Sequence, residues 1–168
     1  LNGLYRDSVQ GDAVVAELMT KFGIETTYNE QGVFIEKKGS VVDKFYHDFS
    51  DCPDLAQTFA VLCAAMNIEA ELTGLDTLSI KETDRIAALY TELTKLGCHV
   101  VISSNSLIIT KGIDNRCQKV QIDTYNDHRM AMSFAPLCLI LEELVFDDKQ
   151  VVSKSYPDFW NDIKSITS

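Results

Sequence analysis

The sequence contains two copies of one arrangement spaced about 75 residues apart, and this repeat constrains the fold more than any other feature. When the chain is shifted by 74 positions, Thr20-Lys21-Phe22-Gly23 aligns with Thr94-Lys95-Leu96-Gly97. A shift of 75 positions aligns Phe59-Ala60 with Phe134-Ala135. Self-similarity at a fixed period indicates a duplicated supersecondary unit. We therefore expect the chain to be built from copies of one unit.

Hydrophobic periodicity predicts the order of elements within this unit. The apolar stripe from Ile86 to Leu96 predicts a helix that ends at Gly97. An equivalent helix is predicted at about 9–22, ending at Gly23. Alternating apolar residues predict a pair of strands after each helix, at 24–28 and 33–37, and at 99–103 and 107–110. The complete unit reads strand, helix, strand, helix, strand, strand.

These boundaries predict an α/β fold in a single, incomplete domain. Residues 1–40 are expected to be the end of one unit, 41–112 a full unit, and 113–168 a partial unit. With 168 residues and 46% hydrophobic side chains, the chain is long enough to bury a core. No Pro/Gly-rich linker interrupts it.

The charge balance limits the partners that the chain can have. It carries 25 acidic and 15 basic side chains, for a formal net charge of −10. This charge disfavours nucleic acid and anionic membranes as partners, although a local cationic site is still possible. The sequence has no signal segment and no run of eighteen apolar residues, so we expect no membrane association.

The cysteines favour a reducing, cytoplasmic location. Their number is odd, and they show neither a C-x-x-C pair nor zinc-like Cys/His spacing. Cys63 and Cys138 are expected to be small buried side chains on apolar helix faces. The five positions are Cys52, Cys63, Cys98, Cys117 and Cys138.

Residues 124–132, Thr-Tyr-Asn-Asp-His-Arg-Met-Ala-Met, predict a helix start that binds an anion. The helix-capping residues Asn126 and Asp127 precede two potential cations, His128 and Arg129, and the apolar run 130–141 is expected to continue as a buried helix. A cation in the first turn opposes the helix dipole. A bound anion would remove that conflict.

Residues 79–85 form a second helix start of this kind. Ser79 and Glu82 match a capping box, which is a sufficient structural explanation for Glu82. The capping box does not explain Lys81 and Arg85, which are expected to share one helix face at the unfavourable end of the dipole. The alternatives are an anionic ligand between them or a solvated charged face.

Two further helix starts carry single charged residues of interest. Asp54 follows Pro53 and is therefore expected inside the first turn of its helix, although it or Asp51 could be a simple N-cap. Lys154 precedes a helix predicted from Pro157, and a lone lysine there is ordinarily solvated.

Equivalent helix ends in a βα repeat point to one side, so the charged residues of these helix starts are expected to converge. Such a cluster suits a substrate that carries phosphate and carboxylate groups, with carboxylates in acid/base positions. The expected cations are Lys81, Arg85, Arg129, Lys154 and His128, and the carboxylates are Asp54 and Glu82.

The two longest motifs resemble a known enzyme family. Lys-Glu-Thr-Asp-Arg at 81–85 and Asp-His-Arg-Met-Ala-Met at 127–132 are similar to the paired signatures of 5-enolpyruvylshikimate-3-phosphate synthases, also called 3-phosphoshikimate 1-carboxyvinyltransferases. Gln10-Gly11-Asp12, Pro53-Asp54 and Lys154 match in order and spacing, so the resemblance covers essentially the whole chain. It implies an inside-out α/β barrel of βαβαββ units, three in each of two domains, around a cleft.

The resemblance also implies a reaction. The family transfers the enolpyruvyl group of phosphoenolpyruvate to the 5-hydroxyl of shikimate 3-phosphate and releases phosphate, without a cofactor or metal, on the route to chorismate and the aromatic amino acids. Asp54 matches the residue that accepts the hydroxyl proton and contacts shikimate 3-phosphate, which Lys81 also contacts. Glu82 matches the proposed proton donor to the methylene carbon.

The remaining matched residues are implied to hold phosphoenolpyruvate: Arg85, Arg129 and Lys154, with His128 in support. Thr77 and Ser79 depart from the family, which often has Asn at the first position and has Arg at the second, so the family's substrate contact is not carried over to Thr77. The resemblance implies that about the first three-fifths of the family's chain is not represented in these 168 residues. We expect these residues to form one wall of the active site, inactive alone, with the missing N-terminal part as partner and a monomer at full length.

Two alternatives remain at this point. A UDP-N-acetylglucosamine enolpyruvyl transferase would share the architecture, but Lys-Glu-Thr-Asp-Arg is not its signature. A non-catalytic anion-binding module would retain the helix starts without the reaction.

Overall fold

The computed structural model of the chain describes residues 1–114 and 119–167. Cys117, one of the cysteines interpreted above, lies outside the described residues. The chain divides into two compact units, Leu1–Phe45 and Tyr46–Ser168. The single domain with unit boundaries at 1–40, 41–112 and 113–168 remains a prediction.

The first unit contains a broken helix followed by a β-hairpin. The helix predicted at 9–22 consists of a 3-10 turn, a short α-helix and a second 3-10 turn. The antiparallel hairpin confirms the two strands predicted from alternation. The elements are Gly11–Val14 (3-10), α1 Val15–Leu18, Met19–Phe22 (3-10), β1 Ile24–Asn29 and β2 Gly32–Lys37.

The elements from residue 44 to residue 111 have the order strand, helix, strand, helix, strand, strand that the repeat predicts. Their bounds are β3 Lys44–Asp48, α2 Ala56–Met66, β4 Glu69–Thr73, α3 Arg85–Lys95, β5 His99–Ile102 and β6 Leu107–Lys111. The sheet order is β3-β4-β6-β5, and β6 is antiparallel to both of its neighbours. Two 3-10 turns, Pro53–Leu55 and Asp76–Ile80, lie ahead of α2 and α3.

The remaining elements form a parallel strand pair with helices between and after the strands. Strand β7 pairs in parallel with β8, from Lys119 opposite Glu143 to Ile122 opposite Phe146. The bounds are β7 Lys119–Ile122, α4 His128–Phe134, β8 Glu143–Phe146 and α5 Phe159–Thr167, with 3-10 turns at Ala135–Leu139 and Gln150–Val152. The fold is therefore mixed α/β, as predicted.

Helices α2 and α4 pack against each other in the core of the second unit. Phe59 of α2 and Phe134 of α4, which the 75-residue shift aligns, are both fully buried. Burying a side chain of this size contributes roughly 1.5–3 kcal/mol. This packing brings together the N-terminal ends of the two helices, with Asp54 just ahead of α2 and Arg129 in the first turn of α4.

The buried helix predicted at 130–141 is wrong in its second half. The α-helix ends at Phe134 and continues as a 3-10 turn, because Pro136 lacks the N–H that an α-helical bond requires. The altered winding leaves Cys138 exposed, which contradicts its predicted burial. Cys63 is buried as predicted, and burial raises the pKa of the Cys63 and Cys98 thiols to about 12, so both stay protonated and unreactive.

The two predicted helix ends at glycine are confirmed, and they are alike in detail. Gly23 and Gly97 have left-handed φ angles of 77° and 81°. Each glycine N–H donates to the threonine carbonyl three residues earlier, at 3.0 Å, and these are the threonines that the 74-residue shift aligns. A residue with a Cβ is strained at such a φ angle, which explains glycine at both positions.

We expect Gly23→Ala to destabilise the first unit more than Gly3→Ala does. Both glycines have a left-handed φ, so both substitutions incur a backbone penalty of roughly 1–2 kcal/mol. Only at Gly23 would the new Cβ also lie 2.5 Å from the Gly39 carbonyl oxygen. Urea unfolding of the two variants separates the steric penalty from the backbone penalty, and equal losses would contradict the expectation.

Candidate active site

The carboxylate of Asp54 is the meeting point of three predicted cations. Pro53 begins the 3-10 turn ahead of α2, which places Asp54 in the first turn as predicted. Asp54 Oδ1 accepts a hydrogen bond from Arg85 Nη1 at 2.9 Å and lies 3.7 Å from Lys81 Nζ. Asp54 Oδ2 lies 2.9 Å from Arg129 Nη2. Two separate segments, 81–85 and the start of α4, therefore converge on one side chain.

The guanidinium of Arg85 lies beneath this meeting point and is 1% exposed. Besides its bond to Asp54, Nε donates to Asp127 Oδ2 at 2.7 Å and Nη2 donates to Glu82 Oε2 at 2.7 Å. A buried charge is stable only when it is paired and hydrogen-bonded. Arg85 meets this requirement through three carboxylates.

Asp127 has two roles, and the sequence interpretation identified only one of them. It is the N-cap of α4, where its Oδ1 accepts from the Arg129 N–H at 2.8 Å, as its position predicted. It is also fully buried, and its Oδ2 lies 2.7 Å from Arg85 Nε. The same distance separates Glu82 Oε2 from Arg85 Nη2. The signal that could have revealed this second role is the place of Arg85 at the start of an apolar helix face.

The cluster balances its own charges. Lys81, Arg85 and Arg129 contribute three positive charges, and the carboxylates Asp54, Glu82 and Asp127 contribute three negative charges. The negative charge that the sequence analysis expected from a bound anion is therefore supplied in part by the carboxylates of the protein itself. Lys81 and Arg129 are each 34% exposed, so they are the cations that a ligand can approach.

The capping box predicted from Ser79 and Glu82 is wrong. Helix α3 begins at Arg85, and its N-cap is Asp84, which accepts from the Ala87 N–H at 3.0 Å. The Ser79 hydroxyl instead donates to a carbonyl within the preceding 3-10 turn. Lys81 lies before the helix with an extended backbone, so it does not share a helix face with Arg85.

The other two predicted cations lie beside the cluster or outside it. His128 is the first residue of α4 and is 26% exposed, with Nδ1 4.0 Å from Asp127 Oδ1. Lys154 is exposed and follows the 3-10 turn Gln150–Val152, which packs against α4. Within the described residues, no bond joins Lys154 to the cluster. Helix α5 begins at Phe159, two residues later than Pro157 suggested.

Other features of the described ranges offer less chemistry. A cavity of about 600 Å³ in the first unit is lined mainly by apolar side chains, such as Leu4, Val15 and Val33, and none of its lining residues belongs to the cluster. Residues 1–114 and 119–167 contain no group of His, Cys, Asp and Glu side chains that could hold a metal ion. No helix in those ranges is long and apolar enough to cross a membrane.

A family model and individual relatives of the chain all point to one enzyme family. The family model described as EPSP synthase (3-phosphoshikimate 1-carboxyvinyltransferase) matches residues 1–163. A 3-phosphoshikimate 1-carboxyvinyltransferase of Bacteroides fragilis (strain YCH46) is 46% identical over 166 residues, which cover 98% of this chain and 40% of the relative. The enzyme of the same name from Neisseria gonorrhoeae (strain NCCP11945) is 34% identical, and the match covers 99% of this chain and 39% of that protein.

A solved structure of EPSP synthase from Acinetobacter baumannii is similar in fold. Its TM-score is 0.77 at 21% identity, and the match covers 100% of this chain and 41% of that chain. The chain therefore spans about 40% of the length of the relatives that it matches.

Proposed function

Because the chain belongs to the EPSP synthase family, we propose that it supplies part of an enzyme that makes 5-enolpyruvylshikimate 3-phosphate. The reaction transfers the enolpyruvyl group of phosphoenolpyruvate to the 5-hydroxyl of shikimate 3-phosphate and releases phosphate. The observation that carries this proposal is the ion-pair cluster around Asp54. It joins residues of the two family signatures, 81–85 and 127–132, on one carboxylate.

Asp54 is the proposed base, and Lys81 its neighbour on the shikimate 3-phosphate side. The carboxylate is 27% exposed, so an entering hydroxyl can reach it. Proton transfer from the 5-hydroxyl to Asp54 would make the oxygen nucleophilic as it attacks the second carbon of phosphoenolpyruvate. Lys81, 3.7 Å from Asp54 Oδ1, is close enough to the same space to bind the substrate.

Arg129 is the proposed main contact for the phosphate of phosphoenolpyruvate. Its Nη2 lies 2.9 Å from Asp54 Oδ2, and 34% of its side chain is exposed, so a ligand can reach the guanidinium. A fixed guanidinium stabilises the negative charge that grows on the departing phosphate. His128 supports this contact, and Lys154 joins it from the segment ahead of α5.

Glu82 is the proposed donor of the proton that the methylene carbon receives, after it has itself taken up a proton from solvent. The methyl group so formed gives a proton back as the C–O bond to phosphate breaks, which restores the double bond of the enolpyruvyl group. The Glu82 side chain is 50% exposed, and Oε2 accepts from Arg85 Nη2. In this proposal Glu82 turns toward the substrate, and its departure exposes Nη2 of Arg85 to phosphoenolpyruvate. Arg85 thus orients Asp54 and Glu82 before it contacts the ligand.

The second wall of the cleft comes, in this proposal, from parts of the full-length protein outside these 168 residues. The chain would then contribute βαβαββ units to one domain of an inside-out α/β barrel, in a monomeric cytoplasmic enzyme. The span of the match, about 40% of each relative, supports a contribution from residues outside this chain.

The direct test is release of phosphate by full-length protein that contains this chain. We expect release to require both phosphoenolpyruvate and shikimate 3-phosphate, and UDP-N-acetylglucosamine to be unable to replace the latter. The 168-residue chain alone should release no phosphate, because orientation of two substrates requires both walls. A full-length protein that is inactive with this pair would refute the proposed function.

Arg129→Ala should mainly weaken phosphoenolpyruvate binding in the full-length enzyme. Loss of one charge-assisted contact to phosphate costs roughly 1.5–3 kcal/mol, or about ten-fold to a hundred-fold in KM. Lys119→Ala is a suitable control, because Lys119 of β7 forms an exposed ion pair with Glu143 of β8 and is not part of the ion-pair cluster. Steady-state kinetics with each substrate varied in turn would show the effect, and an unchanged KM for phosphoenolpyruvate would contradict it.

A further inference from the structure

The segment that carries Asp127 and Arg129 begins with a backbone turn of unusual conformation. Tyr125 and Asn126 have φ angles of 54° and 57°, and the Asp127 N–H donates to the Thr124 carbonyl at 2.9 Å. Two consecutive left-handed residues closed by such a bond are typical of a type I′ turn, which favours Asn and Gly. A tyrosine is strained in this position. Strain of this kind persists only where other contacts hold the residue in place.

A buried carboxylate on α3 supplies several of those contacts, in addition to the bond that Asp147 Oδ1 accepts from the Thr124 N–H at 2.8 Å. Glu92 is fully buried, and its Oε1 accepts a hydrogen bond from the Tyr125 hydroxyl at 2.6 Å. Its Oε2 accepts from the Asp123 N–H at 3.2 Å and from Lys95 Nζ at 2.8 Å. Burial and the hydrogen bond to Glu92 raise the pKa of Tyr125 to about 12, so the hydroxyl remains a donor at neutral pH.

Helix α3 therefore holds the 124–127 turn at two levels. At its first residue, Arg85 binds Asp127 directly. Two turns later, Glu92 binds Tyr125 and the backbone of Asp123. The second attachment lies away from the ion-pair cluster, so it can fix the direction of the turn without contacting a ligand.

We infer that Glu92 and Tyr125 are positioning residues, which hold the strained turn so that Asp127 and Arg129 point into the ion-pair cluster. This inference rests on the proposed function for its kinetic consequences. Its structural consequence, the fixed conformation of residues 124–129, does not depend on which reaction the enzyme catalyses.

The test variant is Tyr125→Phe in full-length protein, which removes one hydroxyl and leaves the aromatic ring in place. Its matched control is Tyr90→Phe, on the exposed side of α3, the helix that carries Glu92. We expect Tyr125→Phe to raise KM for phosphoenolpyruvate and to lower kcat/KM for it about ten-fold, while KM for shikimate 3-phosphate changes less than two-fold. Tyr90→Phe should leave all three values unchanged.

A merely structural role predicts a different pattern. Loss of folded protein would lower the apparent kcat and leave both KM values unchanged, and that result would overturn the inference. Wild-type kinetics for Tyr125→Phe would overturn it as well.

Amide hydrogen exchange gives a second readout that does not require activity. In Tyr125→Phe, the Asp127 and Arg129 amides, which bond to Thr124 and to the Asp127 carboxylate, should exchange at least ten-fold faster than in the wild type. The Ala88 amide, bonded within α3, should be unchanged. If the wild type lacks the proposed activity, the proposed function fails, and the exchange rates still decide whether the turn is held by Tyr125. Unchanged exchange at both amides would overturn the inference.

Discussion

Replacement of Arg85 by alanine is expected to lower the free energy of unfolding by about 3–5 kcal/mol, the loss typical of a broken buried ion pair. The guanidinium is 1% exposed and binds three carboxylates, one of which, Asp127, is fully buried. Without Arg85, the Asp127 carboxylate keeps, within the described residues, its capping bond to the Arg129 N–H, with His128 Nδ1 4.0 Å from the same oxygen. An incompletely compensated charge in the core is costly. The loss should therefore exceed that from truncating any exposed cation of this chain.

Urea unfolding of full-length protein measures this loss. Lys119→Ala is the control, since Lys119 and Glu143 are 65% and 52% exposed and such pairs contribute little. The double variant Arg85→Ala/Asp127→Asn should be more stable than Arg85→Ala alone, because asparagine keeps the N-cap and removes the buried charge. An Arg85→Ala protein as stable as the control would show that the buried cluster is not what holds these segments together.

Local sequence signals were enough to predict most elements of the fold. The hairpin, the helix ends at Gly23 and Gly97, and the position of Asp54 after Pro53 depend on residues within a few positions of one another. The repeat added a long-range expectation, because equivalent helix starts should meet. Asp54 and Arg129 lie 75 positions apart and form an ion pair of 2.9 Å, so two equivalent positions of the repeat contact each other.

The contacts that the sequence analysis missed, and the capping box that it predicted wrongly, both depend on residues that come together only in the folded chain. The sequence places Arg85 and Glu92 on the face of α3 that also carries Leu89 and Leu96, and all four side chains are buried. A charge on an apolar face predicts that a buried partner exists. It does not identify that partner, because Asp127 and Tyr125 lie more than thirty residues away in the chain. The capping box failed for a related reason, since Glu82 bonds to Arg85 rather than to the backbone.

Asp54→Asn is expected to lower kcat of the full-length enzyme by about 10²–10⁴-fold, the usual contribution of a general base. The amide cannot accept the proton of the attacking hydroxyl, although its oxygen can still accept the hydrogen bond from Arg85. KM for phosphoenolpyruvate should stay the same or fall, because Arg129 no longer faces a full negative charge across 2.9 Å. A loss of kcat without a rise in KM is the signature of an interaction used in the transition state.

Asp51→Asn is the matched control for this prediction. Asp51 is an exposed carboxylate three residues upstream, and the cap position of that 3-10 turn is Cys52, so its loss should leave kcat unchanged. Urea unfolding of Asp54→Asn separates chemistry from folding, because Arg85 retains Asp127 and Glu82 as charged partners. If Asp54→Asn and Asp51→Asn turn over at the same rate, the ion-pair cluster serves binding or stability alone. On the proposed mechanism, the base would then be a residue other than Asp54.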